Sequence, residues 1–270
     1  MKTSRLKSII IVILALVNVC LLVMLVGRKT QERAVHERTV AELVQLFADN
    51  GVNLPPALVP TEPLRLSAVD TVRNREAEAA FAAEFLGACT VEDIGGGIYR
   101  YVGDAGQCLL RASGTVEAET DRAVSDPAAF SEALFAAHGY TVLSLDLTPE
   151  GSGTVDAVRV LEEEPVTVFN AGLTLTFAEN RLTGVVGSFV PSVEAGGRGG
   201  NIDGVTALVR FLDYAIGSGE VCTAIGDVNG GYLLQSTASA AQRLIPAWCI
   251  ATDVSRYYVN SVTGEVSRAA

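Results

Sequence analysis

Residues 9–26 form the feature that most constrains this chain, an apolar stretch in which Asn18 is the one polar residue. A helix of this length spans roughly 27 Å at about 1.5 Å per residue, close to the ~30 Å of a bilayer's hydrocarbon core. The sequence therefore predicts a transmembrane helix at residues 9–27, preceded by a cytoplasmic N-terminus at 1–8. A cleaved signal peptide is the alternative, but Val26-Gly27-Arg28-Lys29 lacks the small residues of a cleavage site.

The charges beside this stretch predict its orientation. Three basic residues and no acid precede it, whereas the basic residues that follow it are mixed with Glu32 and Glu37. By the positive-inside rule, the N-terminus is cytoplasmic. We therefore expect a single-pass protein of the cell membrane, with about 240 residues in its extracytoplasmic domain.

Composition narrows the range of partners. The chain of 270 residues has a formal net charge of -11, so nucleic acids and anionic lipid surfaces repel it. Its 49% hydrophobic residues are enough for a packed core. From this net charge and hydrophobic content we expect a folded domain that binds neither nucleic acid nor an anionic lipid surface.

Residues 28–60 read as a juxtamembrane helix and a connector. Val40, Leu43, Val44 and Phe47 recur at helical spacing before Gly51, and a proline-rich connector follows. Such a helix is either a spacer or a surface that pairs with a helix of a membrane partner. For this reason Val40, Leu43 and Phe47, together with Asn18 in the membrane, are candidate partner contacts.

The remaining chain predicts an α+β fold of repeated units, each a helix followed by an antiparallel sheet. Each helix begins at a capping residue: Asp70 or Asn74, then Asp126, then Asp203. The predicted units are residues 61–121, 122–193 and 203–270, and a glycine-rich linker at 194–202 separates the last two.

Four local expectations complete this interpretation. Leu64–Val69 alternates like a strand, and Cys108–Val116 reads as one strand. Asn170–Gly172 reads as a turn. Asp227–Gly231 reads as a solvated loop, since it has too few oxygen ligands for calcium.

Four cysteines follow the apolar stretch. Outside the cell the disulfides Cys89–Cys108 and Cys222–Cys249 are chemically allowed. The alternative is that all four are small buried apolar residues. Their spacing fits no zinc site.

The sequence offers little for catalysis. It has two histidines, and His138 stands in the last turn of a predicted helix, where a cation is favourable to the helix dipole. No nucleophile elbow and no metal-ligand cluster accompany it. We therefore expect no enzymatic activity, no metal and no cofactor.

The C-terminal stretch predicts a hairpin with its turn at Asp253–Ser255. Trp248 and Tyr257 would add apolar and aromatic area to one face of the sheet. Tyr257 and Tyr258 either pack in the core or form an exposed ladder that binds a partner. They complete the set of candidate contacts.

The stretch Leu244–Val266 also carries a resemblance. Its proline and tryptophan enter a strand, and a tyrosine pair, Val259-Asn260 and a Thr263-Gly264-Glu265 turn follow. It resembles the terminal hairpin of PepSY-type domains and of YycI- and YycH-type extracytoplasmic domains. With the anchor, the juxtamembrane segment and the repeated units, the chain resembles the YycI family most.

This resemblance implies a function by contact. Members of the YycI family regulate a WalK-type sensor histidine kinase of a two-component system in Gram-positive bacteria, often with a YycH-type companion, and have no catalytic residues. We therefore expect a membrane-anchored extracytoplasmic regulator. The alternative is a PepSY-like tethered module that binds or inhibits an envelope protease or holds a cell-wall ligand.

Overall fold

The computed structural model describes residues 35, 37–161, 165–191, 193, 199–236 and 242–269. Within these ranges no helix is both long and apolar enough to span a bilayer. The predicted membrane helix at 9–27, with its Asn18, lies outside the described residues.

The described chain is a mixed α+β fold in which one large sheet dominates, and four helices accompany it. The helices are α1 (37–49), α2 (Arg75–Leu86), α3 (Pro127–Ala137) and α4 (Gly204–Ser218), with a short 3-10 turn at Pro56–Leu58. The strands of the first half are β1 (Val69–Thr71), β2 (Cys89–Asp93), β3 (Ile98–Gly103), β4 (Gly106–Arg111), β5 (Thr115–Ala123), β6 (Tyr140–Leu147) and β7 (Gly153–Leu161). Those of the second half are β8 (Val166–Ala178), β9 (Arg181–Ser188), β10 (Ile225–Ser236), β11 (Gln242–Thr252), β12 (Arg256–Asn260) and β13 (Val266–Arg268).

The strands join into one sheet whose order runs β13-β12-β11-β10-β8-β9-β5-β4-β3-β2. Strands β6 and β7 branch from β8, and β1 pairs with β11. Neighbouring strands are antiparallel except β8 and β10, which are parallel and pair at Val168 and Tyr232 alone. This pairing and two hydrogen bonds between the Asn170 side chain and the backbone of Leu234 join the C-terminal strands to the rest of the sheet.

Helix starts follow the capping residues that the sequence predicts. The side chain of Asn74 accepts hydrogen bonds from the amides of Glu76 and Ala77 at the start of α2. Asp126 and Asp203 cap α3 and α4 in the same way. Each of these three helices is followed by strands, as expected. The boundaries of the predicted units stay predictions. Residues 194–198 of the predicted linker lie outside the described ranges.

Two large cores fill the space between helices and sheet. Helices α2 and α3 pack on strands β3–β9, around Phe81, Phe85 and Phe135. Helices α1 and α4 pack on strands β10–β13, around Phe47, Phe211 and Trp248. Helices α1 and α4 pack on one side of the C-terminal strands, and none of the described helices packs on their other side.

A buried ion pair fixes α2 to the sheet. Glu78 is 5% exposed and its carboxylate binds Arg73, with 2.6 Å between Nε and Oε1. The hydroxyl of Tyr101 donates to the same carboxylate at 3.0 Å. Burial, together with the charge of Glu78, holds the pKa of Tyr101 above its ordinary value. Nothing in the sequence predicts this network, since Arg73 lies between β1 and α2, Glu78 lies in α2, and Tyr101 lies on β3.

Two of the local expectations need correction in the first half of the chain. The strand expected at Leu64–Val69 begins only at Val69. The single strand expected at Cys108–Val116 is two strands, β4 and β5. They are separated by a turn at Gly114, whose φ of 87° suits glycine and whose amide donates to the carbonyl of Arg111.

The other two corrections concern the second half. Asn170–Gly172 is a bulge inside β8, because the side-chain amide of Asn170 bonds the backbone of Leu234 in both directions, at 2.7 and 2.8 Å. Asp227–Gly231 belongs to β10, where it pairs with β11 along its length. Hydrogen bonding to a neighbouring strand overrides the turn preference of glycine and asparagine in both places.

Candidate functional site

Helix α1, which precedes the proline-rich connector, is packed onto the C-terminal unit. Leu43 and Phe47 are 4% and 0% exposed, and the ring of Phe47 stacks on Phe211 of α4 with 6.5 Å between centroids. The connector continues the contact through Val52 and Leu54, which are also buried. Leu43 and Phe47 thus contact the protein's own core, and their predicted role as partner contacts stays untested.

A groove of about 500 Å³ runs along the outer side of α1. Its walls are Glu37, Val40, Ala41, Val44, Gln45 and Pro56. Val40 is half-buried here and is the one predicted contact residue of α1 that a partner could reach without unfolding the helix. Its apolar floor and acidic rim suit a helix or loop of another protein.

The two tyrosines of the terminal hairpin lie on opposite sides of β12. Tyr257 packs beneath α4, 5.0 Å from the ring of Phe211, and its hydroxyl donates to Glu220 at 3.0 Å. Burial, and then Glu220, raise the pKa of Tyr257 to about 12. Tyr258 stacks on Phe169 of β8 with 5.9 Å between centroids. Both side chains are buried, as core packing predicts; contact with a partner stays a prediction.

A cleft of about 570 Å³ opens on the helix-free side of the C-terminal strands. This volume falls in the range of small-molecule and peptide sites. Strands β10–β12 form its floor, and β6, β7 and the start of β8 form its wall. The residues around it are Leu143, Val158, Pro165, Thr167, Phe169, Asp227, Asn229, Gly230, Cys249, Ala251, Arg256 and Tyr258.

The cleft has an apolar end and a charged end. Phe169 and Tyr258 form the apolar end, and burial raises the pKa of the Tyr258 hydroxyl, so it stays protonated. Asp227 and Arg256 stand at the charged end without pairing with each other in the described chain. The Asp227 carboxylate instead accepts from the amide of Val228 at 2.9 Å and from the side chain of Asn229. The charged end thus holds one negative and one positive side chain, and both act on the pKa of Cys249.

The four cysteines of the described chain are free thiols, so of the two alternatives that the sequence left open the structure shows the unpaired one. Cys222 lies in the core beneath α4, whereas Cys249 lies on the helix-free side of β11 beside Tyr258. The sheet backbone separates them. Cys89 lies on β2 and Cys108 lies on β4, and strand β3 runs between them.

We expect these thiols to be slow to react in the folded protein. Burial raises the pKa of Cys108 to about 12 and that of Cys249 to about 11, so at pH 8 little thiolate is available. Mass spectrometry after iodoacetamide treatment of the native protein should find both largely unmodified. After unfolding without a reductant, all four should be labelled; unmodified pairs at that step would instead establish disulfides.

His138 does not carry the charge expected of it. Its ring lies 5.1 Å from that of Phe81, edge to face, at the end of α3. Burial lowers the pKa of His138 below its ordinary value, although Glu84 opposes the shift, so the neutral ring is favoured. Desolvation thus outweighs the helix dipole. Among the described residues, no three His, Cys, Asp or Glu side chains converge where they could hold a metal ion.

The sequence interpretation named one residue of the cleft, Tyr258, as a candidate contact and missed the others. Phe169, Cys249 and Arg256 come from three separate strands, and nothing in their spacing along the chain predicts that they meet. Asp227 was singled out, but as part of a loop. The one usable signal was the glycine pair at Gly230-Gly231, where the missing side chains let Leu64 and strand β8 approach closely.

Comparisons with known proteins give a distant structural likeness. No family model matches the chain, and no curated protein matches it. An uncharacterized protein from Eubacterium rectale is similar in structure at 11% identity, covering 78% of this chain and 86% of that chain with a TM-score of 0.43. The C-terminal domain of Bacillus megaterium YpeB is similar at 9% identity, covering 74% of this chain and 99% of that chain with a TM-score of 0.36. No comparison matches the YycI or YycH families, so that resemblance stays a prediction.

Proposed function

We propose that this protein is a membrane-anchored extracytoplasmic regulator that binds a sensor histidine kinase, as the resemblance to the YycI family implies. A YycH-type membrane protein is the proposed companion. The proposal assigns no chemical reaction to the chain: its effect on the kinase comes from binding one state of it more tightly than another.

The observation that carries the proposal is the attachment of α1 to the C-terminal core. The helix begins within ten residues of the predicted membrane segment at 9–27 and is held by Leu43 and Phe47. A free spacer would expose its apolar side to water. Because α1 is part of the folded domain, a ligand or partner on the domain would change the position of the chain where it meets the membrane.

The size of effect needed is modest. A difference of about 1–3 kcal/mol in affinity for the active and inactive kinase changes the kinase equilibrium roughly 5- to 150-fold. One buried aromatic contact such as that between Phe47 and Phe211 is of this order. Whether the protein activates or restrains the kinase depends on which kinase state it binds more tightly.

Crosslinking in intact membranes tests the proposal. The full chain is tagged at Ala270 and compared with two variants, one lacking Ile9–Val26 and one carrying an unrelated membrane helix of equal length in their place. We expect a sensor kinase to be recovered with the native chain and lost with the deletion. If the kinase is not recovered with the exchanged helix, the contact lies in the bilayer. If the kinase is recovered with it, the contact lies on the extracytoplasmic domain.

A second candidate function is a tethered binding module for an envelope protease or a cell-wall ligand. The cleft of about 570 Å³ favours it, since a pure membrane-helix regulator has no need of a preformed cavity. In the same crosslinking experiment this function predicts one protease, recovered equally with the native and the exchanged membrane helix, since the chain without a membrane helix is not exported. That result, with no kinase, would overturn the regulator proposal.

A further inference from the structure

The cleft of about 570 Å³ on the helix-free side of the C-terminal strands has a trough as its floor. Two small side chains of β11, Cys249 and Ala251, form the bottom of this trough. Ala251 stands opposite Asp227 of β10 and opposite Arg256 of β12, so the two charged residues flank the trough. Because neighbouring strands are about 4.8 Å apart, roughly 10 Å separates the two outer backbones. One side of the trough is therefore acidic and the other is basic.

The acidic side has room for a cationic group. Asp227 is exposed, and its carboxylate accepts one hydrogen bond from the amide of Val228 at 2.9 Å and one from the side chain of Asn229. A carboxylate has about four acceptor positions, so about two of them remain. An ammonium group, which is positively charged and carries three N–H donors, suits these positions.

The basic side has room for an anionic group. Arg256 is exposed and forms no ion pair with any residue that the structure describes, since Asp227 stands two strands away. A guanidinium can bind one carboxylate through two parallel hydrogen bonds. The basic side of the trough therefore suits a carboxylate.

An aromatic pair closes one end of the trough. Tyr258 comes two positions after Arg256 on the same strand, and its ring stacks on that of Phe169 with 5.9 Å between centroids. The ring of Phe169 lies over Gly231, where an added Cβ would be 2.7 Å from its Cζ atom. An apolar side chain of a ligand held at Arg256 would therefore contact this pair.

The two charges together indicate the class of ligand. A purely anionic ligand would be repelled by Asp227 and by the net charge of -11, and a purely cationic one would leave Arg256 without a partner. A molecule with one ammonium and one carboxylate group satisfies both sides. An extended dipeptide carries these groups roughly 7 Å apart, which fits within the roughly 10 Å between the two sides.

We propose that this trough binds a short peptide with free ends, about two residues long. The N-terminal ammonium group binds Asp227, the C-terminal carboxylate binds Arg256, and the last side chain lies against Phe169 and Tyr258. The inference does not rest on the regulator proposal, and it names a ligand class for the cleft that the second candidate function uses. Kinase crosslinking and dipeptide binding are separate measurements, so either proposal can fail alone.

Isothermal titration calorimetry with the full chain in detergent micelles tests the site. The probes are the dipeptide Ala-Phe, its N-acetylated form, its C-terminal amide and the reversed dipeptide Phe-Ala, and micelles without protein are the blank. We expect Ala-Phe to bind, and each blocked form to bind about fivefold more weakly, because each loses one exposed ion pair. Phe-Ala should also bind more weakly, since its ring is at the wrong end. Absence of saturable binding of Ala-Phe would overturn the proposal.

Two substitutions test which side holds which end of the peptide. Arg256→Gln should remove the difference between Ala-Phe and its amide and keep the difference between Ala-Phe and its N-acetylated form. Asp227→Asn should do the reverse. The control is Arg210→Gln, at an exposed position of α4 on the other side of these strands, which should keep both differences. If Arg256→Gln and Asp227→Asn weaken all the peptides by the same factor, the two side chains do not hold the two ends and the proposal is wrong.

Discussion

Replacing Glu78 by alanine is expected to lower the free energy of unfolding by about 3 kcal/mol. Removing one partner of a buried ion pair costs about 3–5 kcal/mol, because the other charge is left in a poorly solvated place. Arg73 keeps its hydrogen bonds to the carbonyls of Gly97 and Leu110, at 2.6 and 3.1 Å, and its side chain is 23% exposed. Its residual solvation places the expected cost at the low end of that range.

Guanidinium denaturation of the full chain, followed by circular dichroism, measures this cost. The matched control is Glu84→Gln, an exposed carboxylate on the same helix, which should change stability by less than about 0.5 kcal/mol. Glu78→Gln keeps the shape and one acceptor for Tyr101, so it should fall between the two. A loss below about 1 kcal/mol for Glu78→Ala would show that water reaches the ion pair.

Replacing Phe47 by alanine should have a comparable or larger effect, about 3–5 kcal/mol for a fully buried aromatic ring. The ring has 0% exposure and is the contact of α1 with Phe211. The loss of stability has two causes. The free energy of burying the ring on folding is no longer gained, and a cavity remains between α1 and α4. Because α1 has few other contacts with the sheet, we expect the damage to concentrate in this helix.

Hydrogen exchange followed by mass spectrometry distinguishes a local loss of stability in α1 from a loss of stability across the whole fold. Amides of residues 37–49 should exchange much faster in Phe47→Ala, while those of β3–β5 in the other core keep their protection. Leu46→Ala, at a position that is 42% exposed on the same turn, is the control and should leave the exchange unchanged. Uniform exchange changes across the whole chain would show that α1 and the two cores unfold as one unit.

Local signals in the sequence predicted the helices well and the sheet less well. Asn74, Asp126 and Asp203 are capping residues whose hydrogen bonds reach only two or three positions ahead, so the sequence alone contains the whole interaction. The reversal at Glu179-Asn180 is equally local, and both residues adopt the positive φ that asparagine tolerates. Apolar periodicity is less reliable on α4, where Leu208 and Leu212 pack but the equally apolar Val209 and Ile216 are 41% and 61% exposed.

The failures share a different cause. Asp227–Gly231 contains two glycines and reads as a loop, yet it is held in β10 by residues 247–251 of another strand. Asn170 bends the chain in a free peptide, but here it bonds Leu234, which is 64 positions away. The cleft depends on such pairings, so composition and spacing do not reveal it. The burial of His138 against Phe81 was hidden for the same reason.

The pairing of β1 with β11 sets the order of events while the chain is being synthesised. Thr71 finds its partner at Gln242, 171 positions later. At synthesis rates of about 5–20 residues per second, roughly ten to thirty seconds separate the arrival of the two strands. During that interval β1 lacks its partner strand, so the last strands to be synthesised close the structure. A chaperone, or a nearby partner chain, would meet the protein in this open form.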